Sequence, residues 1–256
     1  MATSEPASDI DISDHLQSVR KEATDGVSLV GECEDVEQLR ADYSADDQVY
    51  QGKITSVVKD YKKMRRTRPD GNCFFRAFAF GYCETLLTKA DECARVKVLV
   101  EERKQQAFAL GFPEMTTEDF FDTFVSLLET IEGGMSEREL IEYINNDSYS
   151  DYIVVTLRIL ASAELQANND FFINFVQGFS NMTEYCKKEV EPMYLESDHL
   201  HITALTSSLK VPVRVVYMDR GEGGEVNWHD FQEDAGAPVI KLLYRPGHYD
   251  LLYDSA

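Results

Sequence analysis

A change of hydrophobic period near residue 210 constrains this chain more than any other feature. From about residue 34 up to that point, apolar side chains recur at helical spacing. Val49, Tyr50, Ile54, Val57, Val58 and Tyr61 mark one helix, and Phe120, Phe121, Phe124, Leu127, Leu128 and Ile131 mark another. Thr116-Thr117-Glu118-Asp119 supplies capping chemistry for the start of the second. Tyr152 to Leu165 reads as a long apolar helix crossing the core, and Leu200 to Leu209 as one more. After Val211 the period is two: Val213–Tyr217, Val239–Tyr244 and Tyr249–Tyr253 read as strands, with a Gly-rich turn at 221–224. Helices grouped ahead of strands predict an α+β domain, with helices packed around a small, mainly antiparallel sheet. At 256 residues, one large core is expected rather than two. Residues 1–30 are polar and read as a mobile tail, in which Ser13 caps a short helix carrying Leu16, Val19 and Ala23; the domain proper spans 34–256.

The bulk chemistry excludes several functions. No apolar run approaches the ~18–20 residues of a membrane span, and the N-terminus lacks the basic and apolar blocks of a secretory signal. Five cysteines without a CxxC pair point to reduced thiols, hence to cytosol or nucleus, and neither a disulfide scaffold nor a metal site is expected. No cofactor is expected either. His199 and His201 have the look of ligands but lack a further set of donors at metal-site spacing. The net charge of −21 excludes nucleic acid as a partner, since that binding draws on clustered Lys and Arg. The one basic cluster, Lys59, Lys62, Lys63, Arg65, Arg66 and Arg68, is expected to form a helical face flanking a cleft.

That cleft is suggested by Arg68-Pro69-Asp70-Gly71-Asn72-Cys73-Phe74. Asp70-Gly71-Asn72 is turn chemistry, and Phe74, Ala77, Phe78 and Gly81 then follow at helical spacing. Cys73 therefore falls at a helix N-terminus, where unsatisfied N–H groups and the helix dipole favour a thiolate and can hold an oxyanion. A packed thiol is the other reading for any Cys, and it is the one expected for Cys83 and Cys93. Far downstream, two strand-like runs flank Arg245-Pro246-Gly247, and His248 opens the second. Residues i and i+2 of a strand share a face, so His248 and Asp250 point the same way. Asp250 is then placed to accept the His248 Nδ1–H and orient the ring, as the acid does in a Cys-His-acid triad. A surface His-Asp pair on a sheet rim stays open on these residues alone.

Asp70-Gly71-Asn72-Cys73 followed by aromatics, together with Gly247-His248-Tyr249-Asp250, resembles the ovarian-tumour class of cysteine proteases that cleave ubiquitin, and within it the otubains. Glu189-Val190-Glu191-Pro192-Met193, Glu196-Ser197-Asp198-His199 and Tyr217-Met218-Asp219-Arg220-Gly221 share that likeness, which runs from Tyr43 to Tyr253. Phe75 stands where the family commonly has Tyr, and the tract before Cys73 is shorter than usual. The resemblance implies a single papain-like, ovarian-tumour-type catalytic domain in a monomeric deubiquitinating isopeptidase, with Cys73 as nucleophile, His248 as base and acid, Asp250 orienting His248, and Asp70 grouped with the site. It implies an oxyanion loop at Gly71 and Asn72, and a preference for the chain linkage that targets proteins to the proteasome. It also implies ubiquitin chains and ubiquitin-charged E2 enzymes as partners. The aromatic run Asp170-Phe171-Phe172-Ile173-Asn174-Phe175 exceeds what one helix face buries, so Phe171, Phe175 and His199 are the expected ubiquitin contacts. Thr116, Phe120 and Tyr152 are the expected E2 contacts. A non-catalytic regulator that binds ubiquitin and E2 is the alternative function.

Overall fold

The computed structural model describes residues 24, 26–221 and 223–255, so the expected helix at Ser13–Ala23 lies outside the described residues. Strand β1 (Val30–Asp35) leads through a 3-10 turn (Val36–Asp42) to helix α1 (Gln48–Asp60) and strand β2 (Tyr61–Thr67). A helical block follows: α2 (Cys73–Leu86), α3 (Ala90–Ala109), α4 (Glu114–Glu132), α5 (Glu137–Ile144), α6 (Asp147–Ala167), the short α7 (Asn169–Phe172) and α8 (Met182–Tyr185), a π-helical turn (Cys186–Val190) and α9 (His199–Leu209). Strands β3 (Val213–Tyr217), β4 (Asn227–Phe231), β5 (Ile240–Arg245) and β6 (His248–Asp254) close the chain. The six strands form one sheet in the order β1-β2-β6-β5-β3-β4, antiparallel throughout except for β3 beside β5.

Strand alternation splits the apolar residues between two cores. Val215, Leu242 and Leu251 face the helical block, packing with Phe74, Phe78, Phe121, Phe124, Leu157 and Leu205. Their sequence neighbours Val216, Leu243 and Leu252 face the other way, against Val36, Leu39, Ile54 and Val57 from the 3-10 turn and α1. Each of these fully buried aliphatic side chains contributes roughly 1.5–3 kcal/mol, so a one-residue slip of β5 or β6 would disrupt both layers. The slip is also resisted by the β5–β6 hairpin, where Arg245 pairs with His248 and Leu243 with Asp250. The strand register thus fixes the functional residues of β6 as well as its core residues.

Three expectations are corrected. The basic cluster is mainly strand β2, not a helical face, and four of its six charges are paired locally: Lys63 with Asp35, Arg65 with Glu137, Arg66 with Glu34 and Asp42, and Arg68 with Asp147. The sheet also has β1, β2 and β4, beyond the three strands read from the sequence. Helix α4 begins at Glu114 after Pro113, without a side-chain cap, which puts Thr116 and Thr117 inside its first turn. Among the described residues no helix is long and apolar enough to cross a membrane, and no cluster of three or more His, Cys, Asp or Glu could hold a metal.

Candidate active site

The turn before α2 is built for one backbone path. Asp70 is buried, and its Oδ1 accepts the Asn72 N–H at 2.8 Å, an Asx-type turn. Its Oδ2 accepts both Nε and Nη2 of Arg76, at 2.9 and 2.8 Å. Gly71 has φ +84°, and a Cβ there would stand 2.3 Å from the Tyr194 carbonyl oxygen, so only glycine fits. Asn72 precedes the helix, yet its side chain does not cap it. Instead Asn72 Oδ1 accepts from Arg158 Nη2 at 2.8 Å and from the Tyr194 N–H at 3.0 Å. Helix α2 therefore starts at Cys73 with its first-turn N–H groups free of any side-chain cap, a ready site for developing negative charge.

The second half of the site comes from β6. His248 Nε2 lies 2.8 Å from Asp250 Oδ1, as the shared strand face requires. The contact uses Nε2 where Nδ1 was expected. Nδ1 is instead buried without a conventional partner, and the Cys73 thiol is the other group that acts on the ring. Burial disfavours the imidazolium, but the Asp250 hydrogen bond, the Cys73 contact and both their charges outweigh it, lifting His248 from 6.5 to about 9. Asp250 has no exposed side-chain surface. Burial alone would raise its pKa, yet His248, Arg245 and the Thr67 N–H hold it below its ordinary value. Thr67 N–H donates to Oδ1 at 3.0 Å and Arg245 Nη2 to Oδ2 at 2.6 Å. Arg245 is itself tied by Nη1 to Asp42 at 2.9 Å. The acid is thus clamped by β2, β5 and its own strand.

The structure brings Cys73, His248 and Asp250 together, with Gly71 and Asn72 beside the nucleophile. Asp70 anchors the loop through Arg76 and Asn72 rather than facing the imidazole. Cys83, Cys93 and Cys186 are buried packing thiols, and burial pushes Cys83 and Cys186 up to about 12. Phe172 enters the core, whereas Phe171 and Phe175 are each 60% exposed and lie 5.4 Å apart. His199 joins a separate cluster with His229 and Phe231, at 5.4 and 4.8 Å. Phe120 meets Tyr152 edge to face at 4.9 Å, and Thr116 lies exposed on the first turn of α4. Arg76, Arg158, Arg245 and Thr67 were missed. The two internal arginines carried a signal: a charge inside an apolar helical run must find partners.

A thiol at a helix N-terminus, a histidine raised by a buried carboxylate, and an uncapped first turn define a cysteine hydrolase. The family model for peptidase C65, otubain, matches residues 22–254, and the chain belongs to that family of cysteine-type deubiquitinases. It is 47% identical to human ubiquitin thioesterase OTUB1 over 225 residues, covering 88% of this chain and 83% of that protein. It is 42% identical over 257 residues to the ovarian tumor domain-containing deubiquitinating enzyme 1 of Arabidopsis thaliana, covering 92% and 84%. Among solved structures, the complex of h/ceOTUB1 with ubiquitin aldehyde and UBCH5B~Ub superposes with a TM-score of 0.91 at 32% identity, covering 97% of this chain and 98% of that one.

Proposed function

We propose that the protein hydrolyses ubiquitin–ubiquitin isopeptide bonds through Cys73, His248 and Asp250. One observation carries this reading: His248 is held between the Asp250 carboxylate and the Cys73 thiol, both of which raise its pKa. In this reading the Cys73 thiolate attacks the carbonyl carbon of the C-terminal glycine of ubiquitin. The resulting oxyanion is held by N–H groups of Gly71, Cys73 and the start of α2, the Asn72 N–H being taken up by Asp70. The imidazolium of His248 gives its proton to the departing lysine amine, leaving a thioester. His248, now neutral, takes a proton from water, which attacks the thioester carbonyl and frees Cys73. Asp70, acting through Arg76, fixes the loop.

The preferred substrate in this reading is the chain linkage that targets proteins to the proteasome, bound in the cytoplasm or nucleus by a monomer. The exposed pair Phe171 and Phe175, with His199, receives the distal ubiquitin, since exposed paired aromatics on an acidic protein suit an apolar patch ringed by basic residues. Solved relatives in complex with UBCH5B~Ub and UBC13~Ub favour a second activity, non-catalytic restraint of ubiquitin-charged E2 through Thr116, Phe120 and Tyr152. Cleavage of a panel of differently linked di-ubiquitins, with and without Cys73→Ala, tests the hydrolytic reading. Selective cleavage lost in the variant is expected. Cleavage that persists in Cys73→Ala, or its absence across the panel in the wild type, overturns it.

A further inference from the structure

Helix α6 is apolar over most of its middle, and a lone guanidinium buried there costs several kcal/mol unless its charge is met. Arg158 is fully buried. Its Nη2 donates to Gly71 O at 3.1 Å, Asn72 Oδ1 at 2.8 Å and Leu195 O at 2.8 Å, and its Nη1 donates to Val190 O at 2.9 Å. The guanidinium carbon lies 4.5 Å from the Phe75 ring centroid. Every one of these acceptors is a neutral carbonyl or amide oxygen. Arg76, by contrast, is paired with Asp70 and Asp151. Among the described residues no carboxylate pairs with Arg158, and Asp70, whose charge reaches it, spends its oxygens on Arg76 and the Asn72 N–H. Burial therefore prevails over the favourable charges of Asp70 and Cys73 and pulls Arg158 down to about 10.

We propose that Arg158 is the positioning residue of the oxyanion loop, its buried guanidinium holding Gly71 and Asn72 in place around the negative charge that develops in the transition state. One nitrogen grips the Gly71 carbonyl and the Asn72 side chain. That same grip turns Asn72 Oδ1 away from the first turn of α2, whose N–H groups it would otherwise cap. The Val190 and Leu195 carbonyls brace the guanidinium from the segment that also supplies Tyr194 to Asn72. The N–H groups of the loop that Arg158 holds act weakly on a neutral substrate carbonyl and strongly on the tetrahedral oxyanion. The contribution is therefore larger in the transition state than in the ground state, which is what accelerates a reaction.

The inference rests on Cys73 being the nucleophile, and its test separates the two. Arg158→Met and Arg158→Lys are compared with wild type for kcat and KM on a cleaved di-ubiquitin, and for affinity to ubiquitin aldehyde, whose adduct oxygen mimics the oxyanion. Affinity for ubiquitin itself is measured in a Cys73→Ala background. In Arg158→Met, kcat is expected to fall about 100-fold with KM within about threefold. Aldehyde affinity is expected to fall in parallel, and affinity for ubiquitin to stay within about threefold. Arg158→Lys keeps the charge and loses the fork, so it should lie between. A kcat within about threefold of wild type, or a loss matched by lost ubiquitin affinity, overturns the inference. If Arg158→Met does not fold, Arg158→Lys decides: a parallel drop of about tenfold in kcat and aldehyde affinity supports the assignment, and any smaller or non-parallel drop refutes it. Wild-type protein that fails to react with the aldehyde would instead sink the hydrolytic reading itself.

Discussion

Asp250→Asn is the most informative single change, because three groups converge on that carboxylate. Oδ1 serves His248 Nε2 and the Thr67 N–H, and Oδ2 serves Arg245 Nη2 at 2.6 Å. Asparagine has one acceptor oxygen. With that oxygen toward His248 and Thr67, its NH2 meets the Arg245 N–H donor head on; flipped, it offers NH2 to the Thr67 donor. Either way a buried donor is stranded, at about 1–3 kcal/mol, and Arg245 loses its internal counter-charge. The imidazolium also loses its carboxylate. The rise of His248 from 6.5 to about 9 is worth roughly 3 kcal/mol, shared between Asp250 and Cys73. His248 must be protonated to release the amine, so wild-type cleavage should fall as pH rises through about 9. In Asp250→Asn that alkaline limb should move down by at least about one unit, and kcat should drop about 100-fold. Steady-state cleavage across the neutral-to-alkaline range reads both effects. The fold should respond with the same sign: the stabilisation due to the raised His248 is complete below 6.5 and lost as pH rises through about 9. An unmoved alkaline limb in a folded Asp250→Asn variant would refute the electrostatic role assigned to this carboxylate.

Further outcomes follow from the same geometry. Gly71→Ala forces a methyl group against the Tyr194 carbonyl at a left-handed φ, so it should cost about 2 kcal/mol or more by thermal denaturation and disrupt the loop, cutting cleavage further than stability alone predicts. Phe175→Arg adds charge to a ring already 60% exposed; it should weaken ubiquitin binding at least about tenfold by calorimetry and leave the melting temperature within a few degrees. Tyr152→Arg, at the edge-to-face contact with Phe120, should reduce affinity for a ubiquitin-charged E2 while leaving di-ubiquitin cleavage near wild type. Equal loss in both assays would place Tyr152 in the structural core of the site rather than on a separate partner surface.

The parts of the site that local chemistry dictates were legible in the sequence. Turn residues before Cys73 and helical spacing after it located α2, and the period-two run after Gly247 put His248 and Asp250 on one face. Strand β2 was hidden because Lys62, Lys63, Arg65 and Arg66 crowd it, and its only strongly apolar interior residue is Met64. It is held as a strand by long-range pairing with β1 and β6 and by the buried stacking of Arg65 on Phe80, none of which local periodicity registers. Edge strand β4, Asn227–Phe231, buries only Phe231 and so carries no alternating signal. The ring nitrogen that meets Asp250 depends on the His248 rotamer, which strand parity leaves free. Arg158 stood out as a charge in an apolar helical run, but its role was hidden because Gly71, Val190 and Leu195 lie on segments that only tertiary folding brings near, as Asp42 does for Arg245.

Reaction of the intact protein with a ubiquitin carrying a C-terminal thiol-reactive electrophile, followed by mass mapping of the adduct, tests the central claim most directly. The account predicts a single adduct on Cys73, formed rapidly by wild type and slowed severely by His248→Ala, with Cys33, Cys83, Cys93 and Cys186 unmodified. An adduct on another cysteine, or labelling of Cys73 at an unchanged rate without His248, would contradict it.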